Sequence, residues 1–434
     1  VKTLVRWFAG VVLALLCALL LSLLIAWAAL RPKPGEWSTP VPIGPWRLQA
    51  SVPTLLRWAM HPLALRALHG REIVTSAGRW RLQSRGDGAI EARCAPCSLQ
   101  LAPLGEQALR LGQARLVLHP RGADKAEGSL HLGPDAGAVA LQWRAELKGD
   151  AVRLHAELPA VPLPRLLALF GNAVPEAQRA QVQGQFGLVL DGRIDAAGLR
   201  IDRLAPTLTE VSVQGLGTEA LLDVDAQARC RPQPAAGRVE GWLPHAVIAA
   251  EDQRFAQHPG YEVEAWLAAW NHNEREPQAL QGASTITMQL AKVLYTGDER
   301  SATRKLREWL YAVEMERTLG KGRILQLYLA TAPWGDGVCG AEAAARHHLG
   351  KPTTQLKPRE AAFLASLLVN PDVQVRRWAA EDPSARERAA FVLRGMRKLP
   401  RERREAELEA LATWQPPVGR GLLARPAGPQ SGSP

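Results

Sequence analysis

The sequence predicts a multidomain chain with an N-terminal transmembrane helix, a β-rich antiparallel middle domain and an all-α C-terminal domain. Three observations predict it. Trp7 to Leu30 is a run of 24 residues without a charge. From about residue 37 to 235, apolar residues recur at every second position, the period of strands with one buried face. From Leu243 to about Trp414, the apolar spacing becomes three and four, the period of helices packed on one side.

Composition bounds the answer. A chain of 434 residues holds two or three domains. With 47% hydrophobic and 22% charged residues it is not a disordered polymer, and five Cys exclude a disulfide scaffold. The net charge of +11 admits nucleic acid, an anionic membrane or a phosphate-bearing substrate as partner. No basic motif interleaved with stacking aromatics occurs, so nucleic acid is not expected. Only ten of the 53 basic residues are Lys, and five of those fall between Lys292 and Lys357.

Residues 1–6 read as a cytoplasmic tail and 7–30 as the transmembrane helix. As a helix that run spans ~36 Å, enough for a ~30 Å hydrocarbon core with tilt. Trp7 and Trp27 stand near its ends, where indoles favour the interface, and Lys2 and Arg6 bias the N-terminus inward. A cleaved signal peptide is the rival, since Ala26-Trp27-Ala28 has the form of a cleavage site. The apolar core exceeds the ~7–15 residues usual for one. Pro32 to Gly35 ends the helix.

Residues 37–235 read as the β-rich domain, of unknown role. Val139, Leu141, Trp143, Ala145 and Leu147 alternate, Lys148-Gly149-Asp150 turns, and Val152, Leu154, Ala156 and Leu158 alternate again, which is a hairpin pattern. Thr54–Leu68 and Leu163–Phe170 look helical. Cys94 and Cys97 lie among strands, where a redox motif is out of place; a local disulfide and two plain thiols both fit. Cys230 and Cys339 read as isolated, buried small side chains. Residues 238–400 form the helical domain, with stretches at Pro244–Arg254, Ile286–Leu294, Thr303–Leu319, Arg323–Leu329 and Arg359–Leu368, and with Ser284 as an N-cap. Residues 415–434, rich in Pro and Gly, read as a disordered tail.

The helical part holds the chemistry. Glu251 ends the apolar run Ala246–Ala250, so its carboxylate sits at the lip of a core, where burial would suit it to general-base work. A helix-end acid facing solvent would read the same. Gly282 to Lys292 opens on small hydroxyl residues and runs into a helix whose N-terminus could hold an anion or a sugar, though ordinary capping also explains Ser284 and Thr285. Arg304 and Glu308 are four apart on one helical face. A salt-bridged surface helix gives that pattern too, yet Lys292, Arg300, Arg304 and Lys305 lie within fourteen residues. A diphosphate leaving group needs such a cluster. Lys321 and Arg323 add a further basic pair.

These segments together resemble a family. Glu251-Asp252-x-x-Phe255-x-x-His258-x-Gly260, Gly282-x-Ser284-Thr285-Ile286-x-x-Gln289-x-x-Lys292, Arg304-Lys305-x-x-Glu308 and Lys321-x-x-Ile324-Leu325-x-x-Tyr328-Leu329 are similar, in order, to the motifs of the glycosyltransferase family 51 peptidoglycan transglycosylases. The similarity runs over about residues 240–400 and is strongest to the monofunctional biosynthetic members. No Ser-x-x-Lys follows, so penicillin binding is not expected. Val293, Ala330 and Met288 depart from residues common in the family, and none of them is a proposed base or diphosphate ligand.

The resemblance implies a lysozyme-like fold and polymerisation of lipid II into glycan strands with release of undecaprenyl diphosphate. By position, Glu251 would be the general base, and Glu308 the second carboxylate assisting diphosphate departure. Lys292, Arg300, Arg304 and Lys305 would hold the diphosphate, and Ser284, Thr285 and Gln289 would line the donor site. No cofactor is demanded, but a divalent metal, Mg or Mn, is compatible with the role of Glu308. Implied partners are lipid II, the growing glycan strand, the inner membrane and cell-wall synthesis proteins. The implied place is the bacterial inner membrane, single-pass, with the catalytic domain in the periplasm. A lysozyme-like hydrolase and a non-catalytic scaffold acting through the β-rich domain are the alternatives.

Overall fold

A computed structural model of the chain describes residues 28, 30–43, 46–75, 77–99, 109–223, 239–275, 282–299, 301–335 and 337–417. It divides into two compact units. One holds the described residues through Gly171 together with Gly184–Glu210; the other holds Asn172–Gln183 and the described residues from Val211 onward. Apart from residues 28 and 30, the transmembrane run lies outside the described residues, as does the tail from 418. Among the described residues no helix is long and apolar enough to cross a membrane.

The first unit is built on β-structure. Strands β1 (Ser38–Ile43) and β2 (Trp46–Ser51) form one hairpin. Strands β3 (Glu72–Thr75), β4 (Gly78–Ser84), β5 (Ile90–Cys94), β8 (Ala114–Pro120), β9 (Lys125–Leu132), β10 (Val139–Lys148), β11 (Ala151–Pro162), β12 (Gln181–Asp195) and β13 (Gly198–Gln214) form a nine-stranded sheet. Its order is β13-β12-β11-β10-β9-β8-β5-β4-β3. A separate pair joins β6 (Cys97–Leu99) and β7 (Leu109–Leu111). The β10–β11 hairpin matches its alternation: Lys148 faces Ala151 across a turn in which Gly149 takes φ +60°, a conformation open to glycine. The period of two sorts the faces. Glu127, Arg144, His155 and Asp191 fall opposite one another along one row, while Trp143, Ala145 and Leu154 point the other way.

The stretch read as one helix over Thr54–Leu68 is two, α1 (Val52–Ala59) and α2 (Pro62–Ala67). Pro62 cannot continue a helix, since it lacks an N–H and clashes with the preceding turn. His61 Nδ1 instead accepts the Leu63 N–H at 3.3 Å and starts a new one. Leu65 of α2 packs with Leu82, Ile90 and Ala92 of the sheet. Cys94 and Cys97 are joined as a disulfide. Cys339, read from sequence as an isolated thiol, is also disulfide-bonded, because local spacing cannot reveal a partner distant along the chain.

After α3 (Leu163–Ala168) and the short α4 (Glu176–Arg179), the second unit is helical: α5 (Leu243–Glu251), α6 (Val263–Arg275), α7 (Ile286–Ala291), α8 (Ala302–Thr318), α9 (Gly320–Thr331), α10 (Ala341–Leu349), α11 (Pro358–Leu367), α12 (Pro371–Ala379), α13 (Pro383–Gly395) and α14 (Arg401–Thr413). Pro residues stand in the first turn of α5, α11, α12 and α13, where a missing N–H is harmless. The core runs along Leu243, Val247, Ile286, Leu290, Leu310, Leu329, Phe363 and Leu364, all fully or nearly fully buried. The same unit takes in the end of β13 and α4. Buried Glu314 of α8 accepts the N–H groups of Leu216 (2.8 Å) and Thr218 (3.2 Å). Arg307 donates to Glu176, and Arg323 to the Leu221 carbonyl.

Candidate active site

Glu251 is the last residue of α5, and its side chain is 10% exposed. Burial pushes its carboxyl above the usual range, the Gln289 hydrogen bond and the Arg388 charge pull it back, and neighbouring Asp252 adds to the rise. Gln289 Nε2 donates to Glu251 Oε2 at 3.0 Å, and the Tyr328 hydroxyl donates to Gln289 Oε1 at 2.6 Å. Arg388 Nη2 stands 3.5 Å from Oε1, which accepts no hydrogen bond from the described residues.

The residues after Glu251 fix the start of α7. Asp252 takes His258 Nε2 at 2.9 Å and the Ile286 N–H at 2.9 Å. The Gly260 N–H donates to His258 Nδ1 at 3.1 Å, so the ring proton lies on Nε2, facing Asp252. Thr285, not the expected Ser284, is the N-cap of α7: its hydroxyl accepts the Met288 N–H at 3.1 Å and donates to the Gly260 carbonyl at 2.6 Å. Asp252 already supplies the negative charge that a helix N-terminus favours, which leaves Ser284 available elsewhere.

Ser284 accepts Lys305 Nζ at 2.6 Å. Lys305 also reaches Glu308 Oε2 at 2.8 Å, and Arg304 binds Glu308 Oε1. Glu308 has no exposed surface, so this is not the solvated helix face that the charge pattern also allowed. Burial, with Arg304 and Lys292 nearby, lowers the Lys305 ammonium to about 8, although 45% of its side chain remains accessible. The short α7 segment therefore ties both carboxylates: Gln289 touches Glu251, and Ser284 reaches Glu308 through Lys305. Lys292 opens a π-helical turn, Lys292–Thr296, and pairs with Asp298 at 2.8 Å. Tyr295 in that turn stacks on Tyr311 of α8, with ring centroids 4.0 Å apart and planes within 3°. Arg300 lies outside the described residues.

Lys321 and Arg323 are spent structurally. Lys321 binds Glu316 (2.8 Å) and the His258 carbonyl (2.7 Å) and lies over the Phe255 ring. Arg388, which faces Glu251, and Tyr328, which reaches it through Gln289, are residues that the sequence reading left unassigned. Tyr328 is in the fourth motif, and Arg388 lies beyond all four, on a helix whose pattern is ordinary. A divalent metal does not fit at Glu308: both oxygens are held by cations, whereas Mg or Mn wants several oxygen ligands. Among the described residues no group of three or more His, Cys, Asp or Glu side chains is arranged to hold one.

A hollow of about 460 Å³ lies on the polar face of the sheet, lined in part by His119, Arg144, His155 and Glu157. Charges around it pair off, His155 with Asp191 at 2.6 Å and Arg121 with Glu127 at 2.7 Å, and Ser129 in its lining is hydrogen-bonded to His131 Nε2 at 2.9 Å.

A helical unit with one buried, partly open carboxylate and a second gripped by two cations has the makings of a transferase for a charged leaving group. The transglycosylase family model matches residues 221–397. Proteins named biosynthetic peptidoglycan transglycosylase are similar over the same part of the chain. That of Nitrosomonas eutropha is 41% identical over 163 residues, 36% of this chain and 67% of the relative. That of Rhodospirillum centenum is 47% identical over 153 residues (35% and 64%), and that of Citrobacter koseri 45% over 163 residues (37% and 66%). The chain belongs to the peptidoglycan transglycosylases, a family of glycosyltransferases. The match spans about two thirds of these relatives and little more than a third of this chain, and the family model begins after the strands of the β-rich unit.

Proposed function

We propose that the protein is anchored in the bacterial inner membrane by Trp7–Leu30 and polymerises lipid II on the periplasmic side. The Glu251 carboxylate takes the proton of the acceptor hydroxyl as the hydroxyl oxygen attacks the anomeric carbon of the donor. The bond to diphosphate breaks with its electron pair, and inversion follows from the single displacement. Arg304, Lys305, Lys292 and Arg300 receive the diphosphate charge, with Glu308 holding Arg304 and Lys305 in place. Ser284, Thr285 and Gln289 shape the donor side, and the helical unit has a lysozyme-like fold. The observation that carries the reading is the pairing of a buried carboxylate held by Gln289 with a cation-flanked second one reached from Ser284 through Lys305, both tied to the Ser284–Gln289 segment. Cations in place of a protonated acid suit a leaving group that already carries charge.

Two further features support the location. Cys94, Cys97 and Cys339 are all disulfide-bonded, as fits an oxidising compartment such as the periplasm. A polyprenyl substrate also requires a site held at the membrane. The test is glycan synthesis from purified lipid II by the full chain, with product length read on gels. Soluble fragments released from sacculi, without polymer, would favour a hydrolase instead.

A further inference from the structure

Two helices reach the Glu251 carboxylate, through Gln289 and Arg388, and a third holds Gln289 through Tyr328, which is more support than burial of one acid requires. We propose that Arg388 and the Tyr328–Gln289 pair are positioning residues that fix the Glu251 carboxylate and favour its ionised, proton-accepting form. The proposal rests on the glycosyltransferase reading.

The two oxygens of Glu251 are treated differently. Oε2 is occupied by Gln289 Nε2 at 3.0 Å. A glutamine amide can present either its nitrogen or its oxygen to a neighbour, and Tyr328 makes the choice. Its hydroxyl donates to Gln289 Oε1 at 2.6 Å, which turns the nitrogen toward the carboxylate and favours the ionised, proton-accepting form. Oε1 faces Arg388 Nη2 at 3.5 Å. That is too long for a good hydrogen bond but short for two unit charges. Arg388 thus attracts Oε1 without filling its lone pairs.

The Arg388 side chain is held in turn. Its Nε donates to the Ser366 carbonyl of α11 at 3.2 Å, which fixes the guanidinium plane. Helix α13 lies close against α5: a Cβ on Gly395 would stand 3.2 Å from the Ala249 Cβ and 3.4 Å from the Ala249 carbonyl. Arg388 is therefore placed by backbone packing and not by the flexibility of its own stem. The charged and titratable groups facing Glu251 are Arg388, Asp252 and Tyr328, and Asp252 is engaged by His258 and the Ile286 N–H. Arg388 is the one cation among them.

The experiment uses the full chain in detergent, with two readouts across pH. One is kcat and KM for lipid II polymerisation. The other is an infrared carboxylate titration of 13C-Glu-labelled protein, with Glu251→Gln subtracted to isolate Glu251. Arg388→Ala should lower kcat by about tenfold or more with KM within about twofold. It should also move both the acid limb of the rate and the infrared midpoint up by about one pH unit. Arg388→Lys should restore most of both. Tyr328→Phe should shift the midpoint the same way by less. A kcat loss uniform over pH with an unmoved midpoint overturns the proposal and leaves Arg388 a packing residue. Should Arg388→Ala fail to fold, the midpoints of Arg388→Lys and Tyr328→Phe decide by the same criterion. A wild-type protein that makes no glycan refutes the function reading, while the infrared midpoints still decide the positioning.

Discussion

At the scale of single residues, burial decides which charges matter. Glu308 is fully enclosed with Arg304 and Lys305 on its oxygens. Glu308→Gln removes the buried carboxylate that Arg304 and Lys305 share and should cost about 3 kcal/mol in chemical denaturation, the low end for breaking such a pair because Lys305 reaches solvent. Glu251→Gln should cut glycan synthesis by ~10²–10⁴, the range for a general base, with no loss of melting temperature, since an amide replaces a desolvated carboxylate. Lys305 sets a pH limit. Burial lowers its ammonium to about 8, so in the proposed diphosphate-binding role it loses its charge as pH rises through that value, and synthesis should fall there. Lys305→Arg, whose guanidinium stays charged, should carry activity past that limit in a rate-against-pH measurement.

At the scale of elements, the site depends on how the loop after α5 and the helix α8 meet. Gly260 has φ +90°, and a Cβ there would stand 2.9 Å from the Ala312 carbonyl of α8. Gly260→Ala should therefore lower the melting temperature and loosen the Thr285 cap that Gly260 accepts from. Helix α8 also carries Glu314, which satisfies two backbone N–H groups at the end of β13 and just after it. Glu314→Ala strands both buried donors and should cost about 2–4 kcal/mol by denaturation. The helix periods, the β10–β11 hairpin and the Arg304–Glu308 spacing were legible because they follow from side-chain periodicity. The Glu314 clamp was not, since residues 216 and 218 have no pattern that announces a partner nearly a hundred positions away. The N-cap was misplaced from Ser284 to its neighbour for a related reason: adjacent hydroxyl residues compete for one role, and the Gly260 carbonyl awards it to Thr285.

At the scale of the molecule, the chain joins a β-rich unit to a transglycosylase unit. Cys94, Cys97 and Cys339 should resist maleimide labelling before reduction and accept it afterwards under denaturing conditions, read by mass spectrometry. Sequence by itself determined the division into β-rich and helical parts and the family of the helical part, and it proposed Glu251, Glu308 and their neighbouring cations as the site. Those properties reside in periodicity and in residue order, which a linear chain displays. Only the tertiary structure decided that Glu308 is buried between two cations, that Lys321 and Arg323 are structural, and that Arg388 meets Glu251 while Tyr328 holds Gln289 against it. Burial and contact between distant residues arise when helices pack, and it is packing that turns a basic cluster into a few paired charges with distinct work.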